Sequence, residues 1–130
     1  MNRQLTRIAY VEDDPDIREI TRMSLESLGG YEVAVYASGE EALEKIAGFN
    51  PDLILLDVMM PGMNGLEVLE RLSGMEGVST TPIVFMTAKT RPQELDTCRA
   101  LGAAGVVSKP YDPILLPQEL DAIWSEVATA

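Results

Sequence analysis

Short apolar, β-branched runs alternate with helix-period segments along the whole chain, and this alternation limits the fold more than any other feature. The runs are Thr6 to Val11, Tyr31 to Tyr36, Asp52 to Leu56, Pro82 to Met86 and Val106 to Ser108. Helical stretches lie between them and a last one closes the chain. A parallel pair of strands needs a crossover helix and a right-handed connection, so the pattern predicts an α/β fold: five parallel strands with five helices on both faces of the sheet. Leu53-Ile54-Leu55-Leu56 is apolar at every position, as expected of a central strand buried on both sides. Ile17, Ile20, Met23 or Ser24, and Leu28 predict the inward face of the first helix, and Leu116, Leu120, Ile123 and Val127 that of the last. Trp124 lies beside that second stripe and reads as core packing ahead of a partner contact. Asp112 and Pro113 read as the cap and first position of the last helix. Pro117 one turn later would remove a backbone bond, which predicts a 3₁₀-like first turn and a regular helix from near Leu116. Ser73 to Thr81 reads as an exposed loop.

The chain has 130 residues, 46% of them apolar. That supports one domain over residues 1–130, burying roughly two-thirds of its unfolded surface, and leaves no room for an output domain. No apolar stretch approaches the about 20 residues of a membrane helix, and the start lacks the pattern of a signal peptide. The expectation is a cytoplasmic protein with no membrane partner. Cys98 is the only cysteine and histidine is absent, which removes disulfides, Cys-rich zinc sites, and histidine-based acid–base and nucleophile systems. Carboxylate chemistry remains. The formal charge of −11 argues against direct nucleic-acid binding, since phosphate neutralisation needs clustered Lys and Arg.

Ligands of open α/β sheets bind beyond the carboxyl ends of the strands, where strand order reverses. The residues there are Glu12-Asp13-Asp14, Asp57, Thr87 and Lys109-Pro110. In the flavodoxin-like, doubly wound order 2-1-3-4-5, the first and third strands are neighbours, and Glu12, Asp13 and Asp57 converge. Each element alone has an ordinary explanation: a helix cap, a turn, a strand-end hydroxyl, a solvated lysine. Their coincidence at one end of one sheet does not. Two carboxylates about 4 Å apart repel by roughly 4 kcal/mol at an effective dielectric near 20, so either one is protonated or a cation binds. Oxygen donors without histidine select a hard cation, and a few carboxylates with places left for water and phosphate suit Mg²⁺ better than Ca²⁺.

The runs Val11-Glu12-Asp13-Asp14, Asp57 to Gly65, Thr87-Ala88 and Lys109-Pro110 resemble the receiver domain of bacterial response regulators in order and spacing. The resemblance implies that Asp57 accepts a phosphoryl group, that Asp13 binds Mg²⁺ directly, that Glu12 helps hold it through water, and that the Met59 carbonyl is a further ligand. It implies that Thr87 and Lys109 contact phosphoryl oxygens and that Lys109-Pro110 is a cis peptide. The implied partners are a histidine kinase or histidine phosphotransfer protein and a downstream protein target, with a phosphorylation-dependent dimer allowed.

Two positions depart from the family pattern. Val106 stands where the family usually has an aromatic switch residue, so the usual threonine–aromatic coupling is not available. Met59 and Lys89 occupy the positions that tune water access to the phosphoryl group, and neither positions a water well, which predicts slow self-dephosphorylation. The competing readings are an interaction-only receiver that is never phosphorylated and an Asp-nucleophile phosphatase. The latter typically has a second Asp two residues after the nucleophile, where this chain has Met59.

Overall fold

The computed structural model describes residues 4–88 and 92–129. Its strands are β1 (Arg7–Val11), β2 (Glu32–Tyr36), β3 (Leu53–Asp57), β4 (Ile83–Thr87) and β5 (Gly105–Ser108). The helices are α1 (Pro15–Met23), α2 (Gly39–Phe49), α3 (Gly65–Leu72), α4 (Pro92–Ala100) and α5 (Leu116–Thr129). All strand pairs are parallel and the order is β2-β1-β3-β4-β5, as the alternation predicts.

Period-two burial divides the core between the two faces of the sheet. Ala9, Val11, Ile54, Leu56 and Phe85 point to one side, where they meet Ala42 and Ile46 of α2, Val68 and Leu72 of α3, and Cys98 of α4. Ile8, Tyr10, Leu53, Leu55 and Val84 point to the other, against Leu25 and against Leu116, Leu120 and Trp124 of α5. Every β3 residue is buried, because this strand is covered on both faces. Each fully buried Leu or Ile contributes about 1.5–3 kcal/mol relative to exposure, so β3, like the equally buried β4, tolerates a polar substitution poorly. Trp124 is core, as expected.

The first helix differs from its predicted face. Ile20, Met23 and Leu28 are exposed; of the expected residues only Ser24, the alternative to Met23, is buried, together with Thr21 and Leu25. The periodicity gave its weight to apolar residues, but here the inward polar side chains are satisfied. Thr21 Oγ1 meets the hydroxyls of Tyr10 and Tyr111, and Ser24 Oγ donates to the Pro113 carbonyl. After Met23 the helix also widens into a π-helical segment over Ser24–Leu28, which shifts the later side chains around the axis and turns Leu25 inward.

The other local expectations hold more closely. Residues 113–115 form a turn in which the Asp112 carbonyl accepts from the N–H groups of both Leu115 and Leu116 at 3.0 Å, and the regular helix begins at Leu116. Pro117 therefore falls within the first turn, and the Pro113 carbonyl that its N–H would have met accepts from Ser24 Oγ instead. The segment from Ser73 to Thr81 is irregular and largely exposed, except that Val78 is buried in the core.

Candidate functional site

Backbone pairing carries one residue past the end of three strands, and the site is built at these strand ends. The Glu12 N–H donates to the Tyr36 carbonyl at 3.0 Å, the Val58 N–H to Met86 at 3.0 Å, and the Lys109 N–H to Thr87 at 2.9 Å. The register places Val11 beside Leu56 and Asp57 beside Met86. Glu12 and Asp13 thus emerge from β1 next to Asp57 at the end of β3. One carboxylate oxygen from each of Glu12, Asp13 and Asp57 lies within 4.8 Å of the others.

Asp14 is not part of this group. It caps α1, its Oδ1 accepting from Asp16 N–H at 2.9 Å and Ile17 N–H at 3.2 Å. The ordinary explanation of an acidic run before a helix is thus correct for one of its three members. Arg18, one turn into α1, donates to the Glu12 carbonyl at 2.9 Å and so braces the acidic loop. On the β3 side, Gly65 lets the start of α3 approach closely: a Cβ there would lie 2.5 Å from the Asp57 carbonyl oxygen. The Gly65 N–H bonds the Val58 carbonyl at 3.0 Å, and Asn64 with Glu67 forms a capping box behind it. The loop after Asp57 is thereby closed on itself, and the Met59 N–H donates to Asp57 Oδ1 at 3.3 Å.

Lys109 enters from β5, with Lys109-Pro110 in the cis form. Its Nζ is 3.0 Å from Glu12 Oε1 and 3.1 Å from Asp57 Oδ1. Burial opposes the ammonium charge, but the hydrogen bond to Glu12 and the negative fields of Asp57 and Glu12 outweigh it and hold Lys109 above its ordinary pKa. Glu12 is only 1% exposed, and burial, then its hydrogen bond with Asp57, raises its pKa against the opposing pull of Lys109. Asp13 is also raised, first by burial and then by Glu12. Three carboxylates facing one ammonium leave two negative charges uncompensated when all are ionised, and the all-oxygen donor set fits a hard divalent cation.

Thr87 ends β4 beside Asp57's register partner Met86 and is 3% exposed. It borders a hollow of about 590 Å³ whose wall also includes Val58, Met59, Pro61 and Cys98. The Met59 side chain is 56% exposed at this hollow. Val106 pairs with Phe85 across the β4–β5 ladder and packs against the core on the α2–α4 side. Lys89 lies outside the described residues.

Three further residues join the cluster without having been read as part of it. Tyr10 Oη lies 3.2 Å from Glu12 Oε1 and 3.2 Å from Thr21 Oγ1, and Thr21 meets the hydroxyl of Tyr111. The available signal is position: Tyr10 stands two residues before Glu12 in one extended run, and residues two apart share a face of a strand.

A family profile described as the response regulator receiver domain matches residues 8–121. Among curated relatives, the DNA-binding response regulator MtrA of Mycolicibacterium smegmatis is 39% identical over 113 residues, 87% of this chain and 48% of that protein. The transcriptional regulatory protein CseB of Streptomyces coelicolor is 33% identical over 118 residues, 91% of this chain and 49% of that protein. The chain spans about half the length of the curated relatives it matches. Among solved structures, chemotaxis protein CheY4 of Vibrio cholerae has a TM-score of 0.85 at 32% identity, covering 92% of this chain and 99% of that one.

These relatives overturn the expectation that nucleic acid is not a partner, because MtrA is described as DNA-binding. The reasoning failed because net charge speaks only for the residues counted, and a charge of −11 over this stretch says nothing about the half of each relative that lies outside the match. Among the described residues no helix is long and apolar enough to cross a membrane.

Proposed function

Because the chain belongs to the response regulator receiver domain family of two-component signalling, we propose that it is a cytoplasmic switch that accepts a phosphoryl group on Asp57 from a histidine kinase or histidine phosphotransfer protein. The observation that carries this reading is the meeting of Asp57 with Lys109 at 3.1 Å inside a cluster of three carboxylates at the carboxyl end of the sheet.

Asp13, Asp57 and the Met59 carbonyl, with Glu12 behind them, would hold Mg²⁺, which when bound supplies positive charge against the phosphoryl oxygens. A carboxylate oxygen of Asp57 attacks phosphorus in line, and the new O–P bond forms as the P–N bond to the donor imidazole breaks. The electron pair goes to the imidazole, which leaves neutral when its other nitrogen carries a proton. Lys109 is already charged and already at Asp57, so it can turn towards the incoming phosphoryl group without having to gain a proton. Thr87 offers a hydroxyl from the neighbouring strand end. Their movement towards the phosphoryl group would pull on the ends of β4 and β5, which makes the α4–β5–α5 side the surface that changes. In MtrA-like relatives the output is described as DNA binding, and a DNA-binding output controlled by this switch is the reading we adopt for the protein as a whole.

The test is incubation with Mg²⁺ and a small acyl-phosphate donor, followed by intact mass. Wild type is expected to gain one phosphoryl group, and the gain should disappear with a chelator or in Asp57→Ala. Equal modification of Asp57→Ala would reject the assignment, and no modification of wild type would leave a receiver that works by contact alone.

A further inference from the structure

Tyr10 is fully buried on β1, in the layer that also holds Ile8, Leu53, Leu55 and Val84. An aliphatic side chain would pack there at no polar cost, whereas a buried hydroxyl without a partner is penalised. The tyrosine is tolerated because its hydroxyl has two partners, Glu12 Oε1 and Thr21 Oγ1, both at 3.2 Å. A phenol has one proton to donate. With Glu12 ionised, the carboxylate is the stronger acceptor, so Tyr10 donates to Glu12 and accepts from Thr21, and Thr21 in turn accepts from Tyr111. The hydroxyls then form a one-way chain from Tyr111, in the loop before α5, through Thr21 on α1 to Glu12. Such chains polarise along their length, each bond strengthening the next.

We propose that Tyr10 is a positioning residue for Glu12, and that the Tyr111–Thr21–Tyr10 hydroxyl chain holds the Glu12 carboxylate in the orientation needed for cation binding. The proposal rests on the cluster being the Mg²⁺ site. Glu12 Oε1 is shared between Tyr10 and Lys109, and Lys109 is itself shared with Asp57 at 3.1 Å. Whenever Lys109 turns to Asp57 or to a phosphoryl group on it, Tyr10 is the donor that keeps Glu12 Oε1 in place. Tyr10 touches no substrate and acts through Glu12. Partners of this kind behind a metal ligand commonly change affinity ten- to a hundredfold when removed.

The experiment is calorimetric titration of the folded, metal-free protein with Mg²⁺, in wild type, Tyr10→Phe, Tyr111→Phe and the double variant, with circular dichroism confirming the fold. Tyr10→Phe removes one oxygen from the core and is expected to raise the Mg²⁺ Kd about tenfold. Tyr111→Phe, whose hydroxyl meets Thr21, should raise it about two- to threefold by weakening the far end of the chain. The double variant should bind no more weakly than Tyr10→Phe, because the chain is already cut there. A purely structural role would lower melting temperature and leave the Kd of the folded protein unchanged. A Kd for Tyr10→Phe within twofold of wild type overturns the positioning role, and effects of the two single variants that multiply in the double overturn the chain. Wild type that does not bind Mg²⁺ overturns the cluster reading itself, a different result from any change among the variants.

Discussion

Replacing Lys109 by methionine keeps most of the length of the side chain and removes its charge from between two carboxylates. Nζ lies 3.0 Å from Glu12 and 3.1 Å from Asp57, and the lysine side chain is 18% exposed while Glu12 is 1% exposed. At an effective dielectric of about 20, each contact represents about 5 kcal/mol of gross attraction, most of it offset by desolvation of the ammonium. Removing one side of a buried pair costs about 3–5 kcal/mol because the other side is left uncompensated. Glu12 has an escape, since its pKa is already raised and rises further once the lowering effect of Lys109 is gone. We therefore expect a loss of about 2–3 kcal/mol in metal-free protein at neutral pH, below the full cost of stranding a buried charge. A carboxyl whose folded pKa lies above its unfolded value favours folding at low pH, and that contribution is lost as pH rises through the folded pKa. The deficit of Lys109→Met should accordingly be small in acid and grow towards neutral pH. Saturating Mg²⁺ should shrink it, because a cation held by the same carboxylates replaces the missing charge. The assay is urea unfolding followed by fluorescence of the single, buried Trp124, with chelator or with Mg²⁺, across that pH range. A deficit that is flat with pH and equal in both conditions would refute the reasoning.

Mg²⁺ affinity of wild type should fall on acidification at a higher pH than ordinary carboxylates would give, because Glu12 and Asp13 are both raised; titration calorimetry at stepped pH reads this directly. Gly65→Ala should destabilise the fold by about 1–3 kcal/mol in urea unfolding, since its methyl would sit 2.5 Å from the Asp57 carbonyl oxygen and force the acceptor loop away from α3. Met59→Asn should speed loss of phosphoryl label from purified phosphoprotein about tenfold, equivalent to roughly 1.4 kcal/mol of barrier, because a polar group replaces a thioether that cannot orient water.

The sheet was legible because its signal is redundant. Strands buried on both faces read as apolar runs, the crossovers between parallel strands require helices, and one register brings Asp57 to Glu12 and Asp13. The cis form of Lys109-Pro110 agrees with what the family resemblance implied. The face of α1 was legible only at Ser24, because the helix buries Thr21 and Ser24 through hydrogen bonds to residues about 90 positions away, and a stripe of apolar residues carries no trace of those partners. Tyr10 was counted only as strand, although its hydroxyl belongs to the cluster. The acidic composition was read correctly as a property of this stretch and wrongly as a limit on the partners of a protein whose relatives are about twice as long.

The most direct test of the central claim identifies the atom that carries the phosphoryl group. Protein phosphorylated with a small acyl-phosphate donor and Mg²⁺ is treated with borohydride, which reduces an acyl phosphate to the alcohol, and the digested peptides are sequenced by mass spectrometry. The account predicts conversion at residue 57 alone, abolished by chelator. Conversion at Glu12 or Asp13, or phosphate that survives borohydride on a hydroxyl such as Thr87, would contradict it.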